Sequence, residues 1–473
     1  MHDLPEFSGA DNGGTDNVPW WKLLNKYHWF VLIVAALGWL FDTMDQQLFL
    51  LARVDAMREL LGSQVVPPGK ELKGLITEYS GYATSIFMLG WAAGGLLFGV
   101  LGDRIGRAKT MMITILMYSI FTGLSAFSIG FWDFAVYRFL TGLGVGGEFA
   151  VGVSLVAEVM PVKARPYALG LLQALSAVGN MTAALISMSL GHLEESGGLQ
   201  GLELFGTQLN AWRLMFIVGI LPALLVIVIR RRLKEPEQWK SSVQSGKTQQ
   251  KAGSYAALFS DPRWRKNAIV GVILASSGVV GLWGIGFFFP DLIDSVFRKS
   301  LADKGMTDVE LNGTITRWKG IASLMTNLGA FFGIYGFAIL TQRIGRRPAF
   351  LIAFLAAMGS TLLVFGRLST PTDVFWMLPL MGFCQLALFG GYAIYFPELF
   401  PTYLRSTGIS FCYNVGRIVA AFGPSLLGQL SSNVFSDYAE PMRPAAMVMC
   451  SVFVIGILAL PFAPETKDKP LPE

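Results

Sequence analysis

Five ionisable side chains stand inside stretches that are otherwise too apolar to tolerate them: Asp42, Asp45, Arg138, Glu148 and Arg417. A charge at the centre of a bilayer costs about 2.5–3.5 kcal/mol on insertion scales, so each is a candidate for function. Asp42 and Asp45 are three residues apart and share a helical face, which Gln46 extends. Two carboxylates that close repel, so one of them is expected to hold a proton. A group that loads on one side and unloads on the other is what a proton carrier needs; the bland alternative is that one Asp only bonds a neighbouring helix. Arg417 shares a face with Ser410 and Asn414, and 237 residues earlier the chain places Gln173, Ala177 and Asn180. Polar groups at equivalent places suit a central cavity. The forked donors of an arginine fit a planar carboxylate, so a small organic anion anchored by Arg417 is expected. The alternative is that Arg417 pairs with an internal carboxylate such as Glu148. Glu148 itself, ten residues after Arg138 and off its face, fits a second proton site, a substrate contact or a structural hydrogen bond equally well. Trp283, Gln385 and Tyr392 complete the expected substrate contacts.

The elements that must hold these residues follow from composition. The 473 residues are 53% hydrophobic and only 15% charged, with mean hydropathy +0.51. A soluble globular chain carries about 25% charged residues, so an ordinary water-soluble enzyme is excluded. Disorder is excluded too, because it needs low hydrophobicity. About 20 apolar residues span a bilayer core as a helix. Twelve such runs occur, at 29–51, 80–101, 110–129, 134–159, 168–191, 213–229, 268–293, 320–340, 349–366, 374–396, 407–430 and 445–462, and seven of them contain no Asp, Glu, Lys or Arg. The expected fold is an all-α membrane protein of twelve transmembrane helices.

Even-numbered spans put both ends of the chain on one side. With the N-terminus inside, 23 of the 37 Lys and Arg fall in inside segments and 12 outside, ten of the former in 230–267. Positive residues mark the cytoplasmic side, so both termini and that loop are expected in the cytoplasm, most simply at a bacterial inner membrane. The net charge of +5 is therefore an orientation signal and no nucleic-acid partner is expected. The 28 residues before span 1 lack a basic stretch followed by a short apolar run and small-residue cleavage site, so no cleaved signal is expected. Cys384, Cys412 and Cys450 lie in apolar runs, and His2, His28 and His192 are scattered, so neither a disulfide framework, a metal site nor a cofactor is expected.

The segment 230–267 divides the spans six and six, and the halves resemble each other. Gly102-Asp103-Arg104-Ile105-Gly106-Arg107 after span 2 is matched by Thr341-Gln342-Arg343-Ile344-Gly345-Arg346 after span 8, offset by 239. Glu158-x-x-Pro161-x-x-x-Arg165 after span 4 is matched by Glu398-x-x-Pro401-x-x-x-Arg405 after span 10, offset by 240. The boundaries are a tail 1–28, a six-helix bundle 29–229, the loop 230–267, a second bundle 268–462 and a tail 463–473. Two parallel six-helix repeats imply alternating access around a site near mid-membrane.

Gly102–Lys109 resembles the loop 2–3 signature of the major facilitator superfamily, and Arg138-x-x-x-Gly142-x-Gly144-x-Gly146-Gly147 resembles its span 4 signature. Pro464-Glu465-Thr466-Lys467 is similar to the tail motif of sugar porters, and Asp42-Thr43-Met44-Asp45 resembles the Asp-x-x-Asp motif of aromatic-acid and sialate proton symporters. The resemblance covers roughly residues 25 to 467. It departs at Lys234-Glu235-Pro236-Glu237, a degraded form of the sugar-porter sequence after span 6, at Gln342 in place of an Asp, and at Thr43 in place of a Gly. It implies that Arg138 pairs with Asp42 as the coupling switch, with Asp45 assisting. It also implies that Asp103, Arg104, Arg107, Glu158, Arg165, Arg343, Arg346, Glu398 and Arg405 form ion-pair latches on the inner face.

These observations predict a proton-coupled secondary transporter, a symporter that imports a small organic metabolite, such as an aromatic or sugar acid, and works as a monomer in the lipid bilayer. The runner-up is a neutral-sugar:proton symporter. A non-transporting membrane sensor is the competing class, and it would have no need of a loading site such as Asp42, Asp45 and Arg138. The chain contains no Gly-x-x-x-x-Gly-Lys-Ser/Thr and no Gly-x-Ser-x-Gly, which leaves an ATP-driven pump or a hydrolase without its machinery.

Overall fold

A computed structural model describes residues 19–62, 72–195, 198–199, 201–244, 252–301, 308–435 and 437–472. Residues 1–18 of the expected N-terminal tail and 245–251 of the central loop lie outside them. Among the described residues, eleven helices are long and apolar enough to cross a membrane. Span 1 is Lys26–Gly62, span 2 Leu72–Ile105, span 3 Arg107–Ser125, span 4 Phe131–Val159 and span 5 Arg165–Glu195. Span 6 is Ala211–Arg232, span 7 Pro262–Ile285, span 8 Asp308–Ile344, span 9 Arg346–Arg367, span 10 Pro371–Leu399 and span 12 Met442–Phe462. The twelfth member, span 11, is divided into Arg405–Ala420 and Gly423–Gln429. The break follows from Pro424, which has no N–H for the carbonyl of Ala420 four residues earlier. Span 6 breaks after Val218 for the same reason, with Pro222 four residues on.

Several helices run past the apolar stretches, because a helix continues into polar residues once it leaves lipid. Span 7 starts at Pro262, inside the segment assigned to the loop, capped by Asp261. That loop also carries the helices Glu237–Gln244 and Tyr255–Ser260. A two-stranded hairpin, Glu203–Leu204 with Thr207–Gln208, turns between spans 5 and 6 through Phe205 and Gly206, both at positive φ. It is a small exception to the all-helical expectation. Such a two-residue turn matches strand twist.

Spans 2 and 4 pack along one another, and so do spans 8 and 10; between the halves span 2 meets span 11 and span 5 meets span 8. The close pairs rest on glycine. A Cβ on Gly90 or Gly94 would overlap the carbonyl of Phe139 or Leu143 in span 4, and one on Gly142 or Gly146 would overlap that of Phe87 or Trp91 in span 2. The second half repeats this: Gly329 and Gly333 face the carbonyls of Pro379 and Phe383, and Gly382 faces that of Thr326. Gly90 and Gly94 stand 239 residues from Gly329 and Gly333, and Gly142 stands 240 from Gly382, the offsets of the loop motifs. The span 4 small-residue stripe is thus a packing device. Gly94→Val is expected to cost more than about 3 kcal/mol, because backbone cannot retreat from the added methyls. Size-exclusion chromatography in detergent should recover no monodisperse Gly94→Val, while Gly359→Val, where a Cβ meets nothing within 4 Å, elutes normally.

Candidate functional site

Asp42 and Asp45 are both fully buried, and none of their four carboxylate oxygens has a hydrogen-bond partner. Their 100° per residue helical spacing gives them different surroundings. Asp42 faces Glu148, Gln46, Asp45 and, from the other half, Arg417. Asp45 faces Arg138 and Thr122, and its Oδ1 would lie 3.1 Å from a Cβ on Gly219 of span 6. The expected Asp42–Arg138 pair is therefore not formed in this state. Arg138, fully buried, donates Nε and Nη2 to Ser125 Oγ at 3.0 and 2.7 Å and Nη2 to Thr141 Oγ1 at 3.0 Å. Its guanidinium lies over the Phe216 ring at 4.7 Å, and Nη1 has no partner. The sequence places Arg138 within one face; it takes the fold to turn that face toward Asp45.

Glu148 accepts from Thr114 Oγ1 at 2.8 Å through one oxygen and leaves the other unpartnered against Gly38, where a Cβ would collide with it. It and Arg417 do not form an ion pair. Arg417 is held between two rings, 4.0 Å from Trp91 of span 2 and 4.3 Å from Tyr413 of span 11, and its Nη1 donates to Asn414 Oδ1 at 3.2 Å. Packing against two rings restrains the guanidinium, and the donors that Asn414 and Tyr413 do not take are what a ligand could use. Trp283 meets Trp91 edge-on at 6.2 Å. It sits in the π-helical turn Val280–Ile285 that ends span 7, after which the chain tightens to a 3-10 turn, Gly286–Phe288. Such turns recur at functional sites because they open the regular hydrogen-bond ladder. Trp91 and Tyr413 carry no sequence signal; only the apposition of spans 2 and 11 reveals them.

Four expected substrate contacts are otherwise engaged. Asn414 donates to Ser410 O at 2.8 Å and fills the notch at Gly95, so it orients Arg417 from behind. Tyr392 is fully buried, donates to Leu274 O at 2.6 Å and stacks on Phe396 and Phe350. Gln385 donates to Thr361 Oγ1 at 2.7 Å and lies against Gly286. Asn180 donates to Asn327 Oδ1 at 3.2 Å, a link between spans 5 and 8. A helix-face argument cannot see that the Tyr392 side is filled by Phe350 of span 9 and Tyr413 of span 11. Gln173, 3% exposed with an unpartnered Oε1, remains available to a ligand.

At the face that carries the loop motifs the halves are bolted together. Glu158 accepts from Arg107 Nε at 3.2 Å and Nη2 at 2.9 Å, and from Arg405 Nη1 of the other half at 2.7 Å. Arg107 also pairs with Asp103 at 3.0 Å. Asp103 takes the amides of Ser406 and Thr407 at 3.2 and 2.8 Å and the Thr407 hydroxyl at 2.6 Å, so it caps span 11 from the opposite bundle. A carboxylate is favoured at a helix N-terminus. In the second half Arg346 pairs with Glu398 through Nε at 3.0 Å and Nη2 at 2.8 Å. Glu465 accepts from the amides of Arg346 and Arg347, as Glu235 does from those of Ala108 and Lys109. Glu465 lies outside the spans; burial alone would raise its pKa, and the four amide donors around it outweigh that and hold it below the usual carboxylate value. Arg165 is buried, its Nε without a hydrogen-bond partner among the described residues, within electrostatic reach of Glu398 and Glu158. Arg104 and Arg343 do not join the latch: both are exposed, Arg104 donates to Ala252 O at 3.2 Å, and Arg343 offers only its carbonyl, to Lys467. Their charge points to water because the neighbouring Arg107 and Arg346 already fill the interior.

The profile of the sugar (and other) transporter family matches residues 50–263 and 237–473. A Haemophilus influenzae protein named for metabolite transport is 31% identical over 457 residues, covering 95% of this chain and 99% of that one. The cis,cis-muconate transport protein of Acinetobacter baylyi is 30% identical over 411 residues, covering 85% and 91%. The structure of the proton:xylose symporter XylE bound to 6-bromo-6-deoxy-D-glucose superposes with a TM-score of 0.73 at 16% identity, covering 94% and 98%, which fixes the fold. With the family profile matching both halves and relatives covered almost end to end, the chain belongs to the sugar (and other) transporter family of the major facilitator superfamily and is a secondary transporter of small metabolites.

Proposed function

We propose that the chain is a proton-coupled symporter that imports a small organic acid. The observation that carries this reading is Arg417, its guanidinium packed on the Trp91 and Tyr413 rings and within electrostatic reach of Asp42 of the other half without bonding to it. With Asp42 charged, Arg417 has its counter-ion. When Asp42 takes a proton, Arg417 is left buried without one, and a substrate carboxylate restores the balance. Proton and anion then load together, since a buried unpaired charge is costly. Asp45, Arg138 and Glu148 surround this exchange; Gln173 and Trp283 supply the remaining contacts, with Asn414 holding the anchor. The muconate transporter carries a substrate that is itself a carboxylate, which supports the acid over the sugar. We take the basic residues beside the inner segments to place both termini in the cytoplasm of a bacterial inner membrane, with one chain as the working unit.

Arg417→Lys tests this. Charge-assisted hydrogen bonds are worth about 1.5–3 kcal/mol, so losing the planar fork should weaken binding of an aromatic or sugar acid by about 10- to 100-fold. Isothermal titration of purified protein against such acids and against neutral sugars reads this out. Unchanged acid affinity, or a loss confined to neutral sugars, would sink the anion anchor.

A further inference from the structure

Two adjoining cavities lie away from the central site, where spans 7, 9 and 12 meet the C-terminal tail. One, of about 400 Å³, is lined by four basic residues, Arg263, Lys266, Arg347 and Lys469. The other, of about 500 Å³, runs between spans 7 and 12 along Ile269, Ile273, Ile455, Leu458 and Phe462. Lys266 and Phe462 line both, so the polar cavity and the apolar groove meet at these two side chains. The four basic residues form no ion pair among the described residues; the side chains of Arg347 and Lys469 donate to the carbonyls of Ala463 and Glu465. The acidic side chains in the wall are already committed, Glu398 to Arg346 and Thr466, Glu465 to the backbone amides at the start of span 9. Among the described residues, Glu465 is the one acidic side chain of the wall not paired to a cation, so against four basic side chains the pocket keeps an excess of positive charge. The groove beside it presents Ile269, Ile455, Leu458 and Phe462, each at least half exposed, to the bilayer.

We propose that this composite cavity is a binding site for one anionic phospholipid, its phosphate among Arg263, Lys266, Arg347 and Lys469 and an acyl chain along the groove between spans 7 and 12. A free anion would leave the groove unfilled, and a zwitterionic lipid would leave the positive charge uncompensated. The site also adjoins the gate. Thr466 of the tail donates to Glu398 at 2.6 Å, and Pro472 O accepts from Arg405, which also holds Glu158. A headgroup that ties Lys469 to spans 7 and 9 keeps the tail seated on the closed gate. The inference stands on charge and shape here and does not require proton coupling or an acidic substrate.

Native mass spectrometry of the purified full chain, exchanged into mixed phosphatidylglycerol and phosphatidylcholine, tests it. Each basic residue near a lipid surface is worth about 1 kcal/mol, a factor of roughly five. Wild type should retain a single phosphatidylglycerol in preference to phosphatidylcholine, and Arg263→Glu/Lys266→Glu should reduce that preference by roughly 25-fold. The double variant should keep the wild-type melting temperature in phosphatidylcholine alone. Should it fail to fold, Lys469→Glu, on the tail, should still reduce the preference about fivefold. Equal retention of the two lipids by wild type, or an unaltered preference in the folded variants, overturns the proposal. So does inorganic phosphate raising the melting temperature as far as phosphatidylglycerol does, because a free anion would then suffice.

Discussion

Asp42→Asn should abolish uptake driven by a pH gradient while leaving exchange of labelled for unlabelled substrate at equal pH. The variant keeps the shape of a side chain that is fully buried and faces Arg417 and Glu148, and removes only its capacity to be charged in one state and neutral in the other. Each pH unit across the membrane supplies about 1.4 kcal/mol per proton, a tenfold accumulation, and the variant forfeits all of it. Proteoliposomes with an imposed gradient of two pH units should fall from about 100-fold accumulation per coupled proton to none. Asp45→Asn should behave differently. Asp45 is the carboxylate that faces Arg138, whose other partners, Ser125 and Thr141, are neutral. Removing its charge leaves the fully buried Arg138 without a counter-ion in every state, whereas Arg417 beside Asp42 is 9% exposed and gains the substrate carboxylate. Folded yield should therefore fall in Asp45→Asn, while coupling in what folds is less affected. Gradient-driven accumulation that survives in Asp42→Asn and disappears in Asp45→Asn would transfer the proton-loading role to Asp45.

The contrast between these two aspartates shows how far the sequence could be read. Hydrophobic runs of about twenty residues locate the spans because a lone apolar segment of that length in lipid satisfies its backbone only as a helix, and the loop motifs expose the repeat because each half must build the same tight turn. The repeated glycines Gly90, Gly94 and Gly142 carry the same signal and stand equally plain in the chain. What is lost is azimuth. Residues three apart on a helix differ by about 60° around its axis, which suffices to turn Asp42 toward the other half and Asp45 toward span 3. Partners from distant spans are also hidden. Arg417 lies against Trp91, 326 residues earlier, and Tyr392, read as a cavity residue, is stacked in a cluster whose ring from span 9, Phe350, has no periodic relation to it. Arg104 and Arg343 show the converse: their motif positions are conspicuous, and their side chains face water.

The gate makes the second large prediction, because its two halves are unequal. Asp103 reaches across to cap span 11, whereas its counterpart Gln342 donates to Asp468 of the tail at 3.3 Å and stays within its own half. Glu158 bridges the halves through Arg405, whereas Glu398 spends its hydrogen bonds on Arg346 and Thr466 of the second half. Glu158→Gln should therefore destabilise the closed face far more than Glu398→Gln. It leaves Arg107 and Arg405, both fully buried, sharing a neutral amide, and breaking such a buried pair costs about 3–5 kcal/mol. Asp103 still offsets part of the charge on Arg107, but Arg405 is left with only the carbonyls of Pro397 and Pro472. Opening the face lets water reach Arg405, so the cost falls on the closed state and shifts the population toward the open one by about 100-fold or more. Alkylation of a cysteine placed at Ser406, buried under Asp103 while the face is closed, should speed up by that order in Glu158→Gln and by less than tenfold in Glu398→Gln. Equal acceleration in both would mean that the latch is symmetric and that Gln342 replaces Asp103 without consequence; no acceleration in either would reduce these ion pairs to markers of topology.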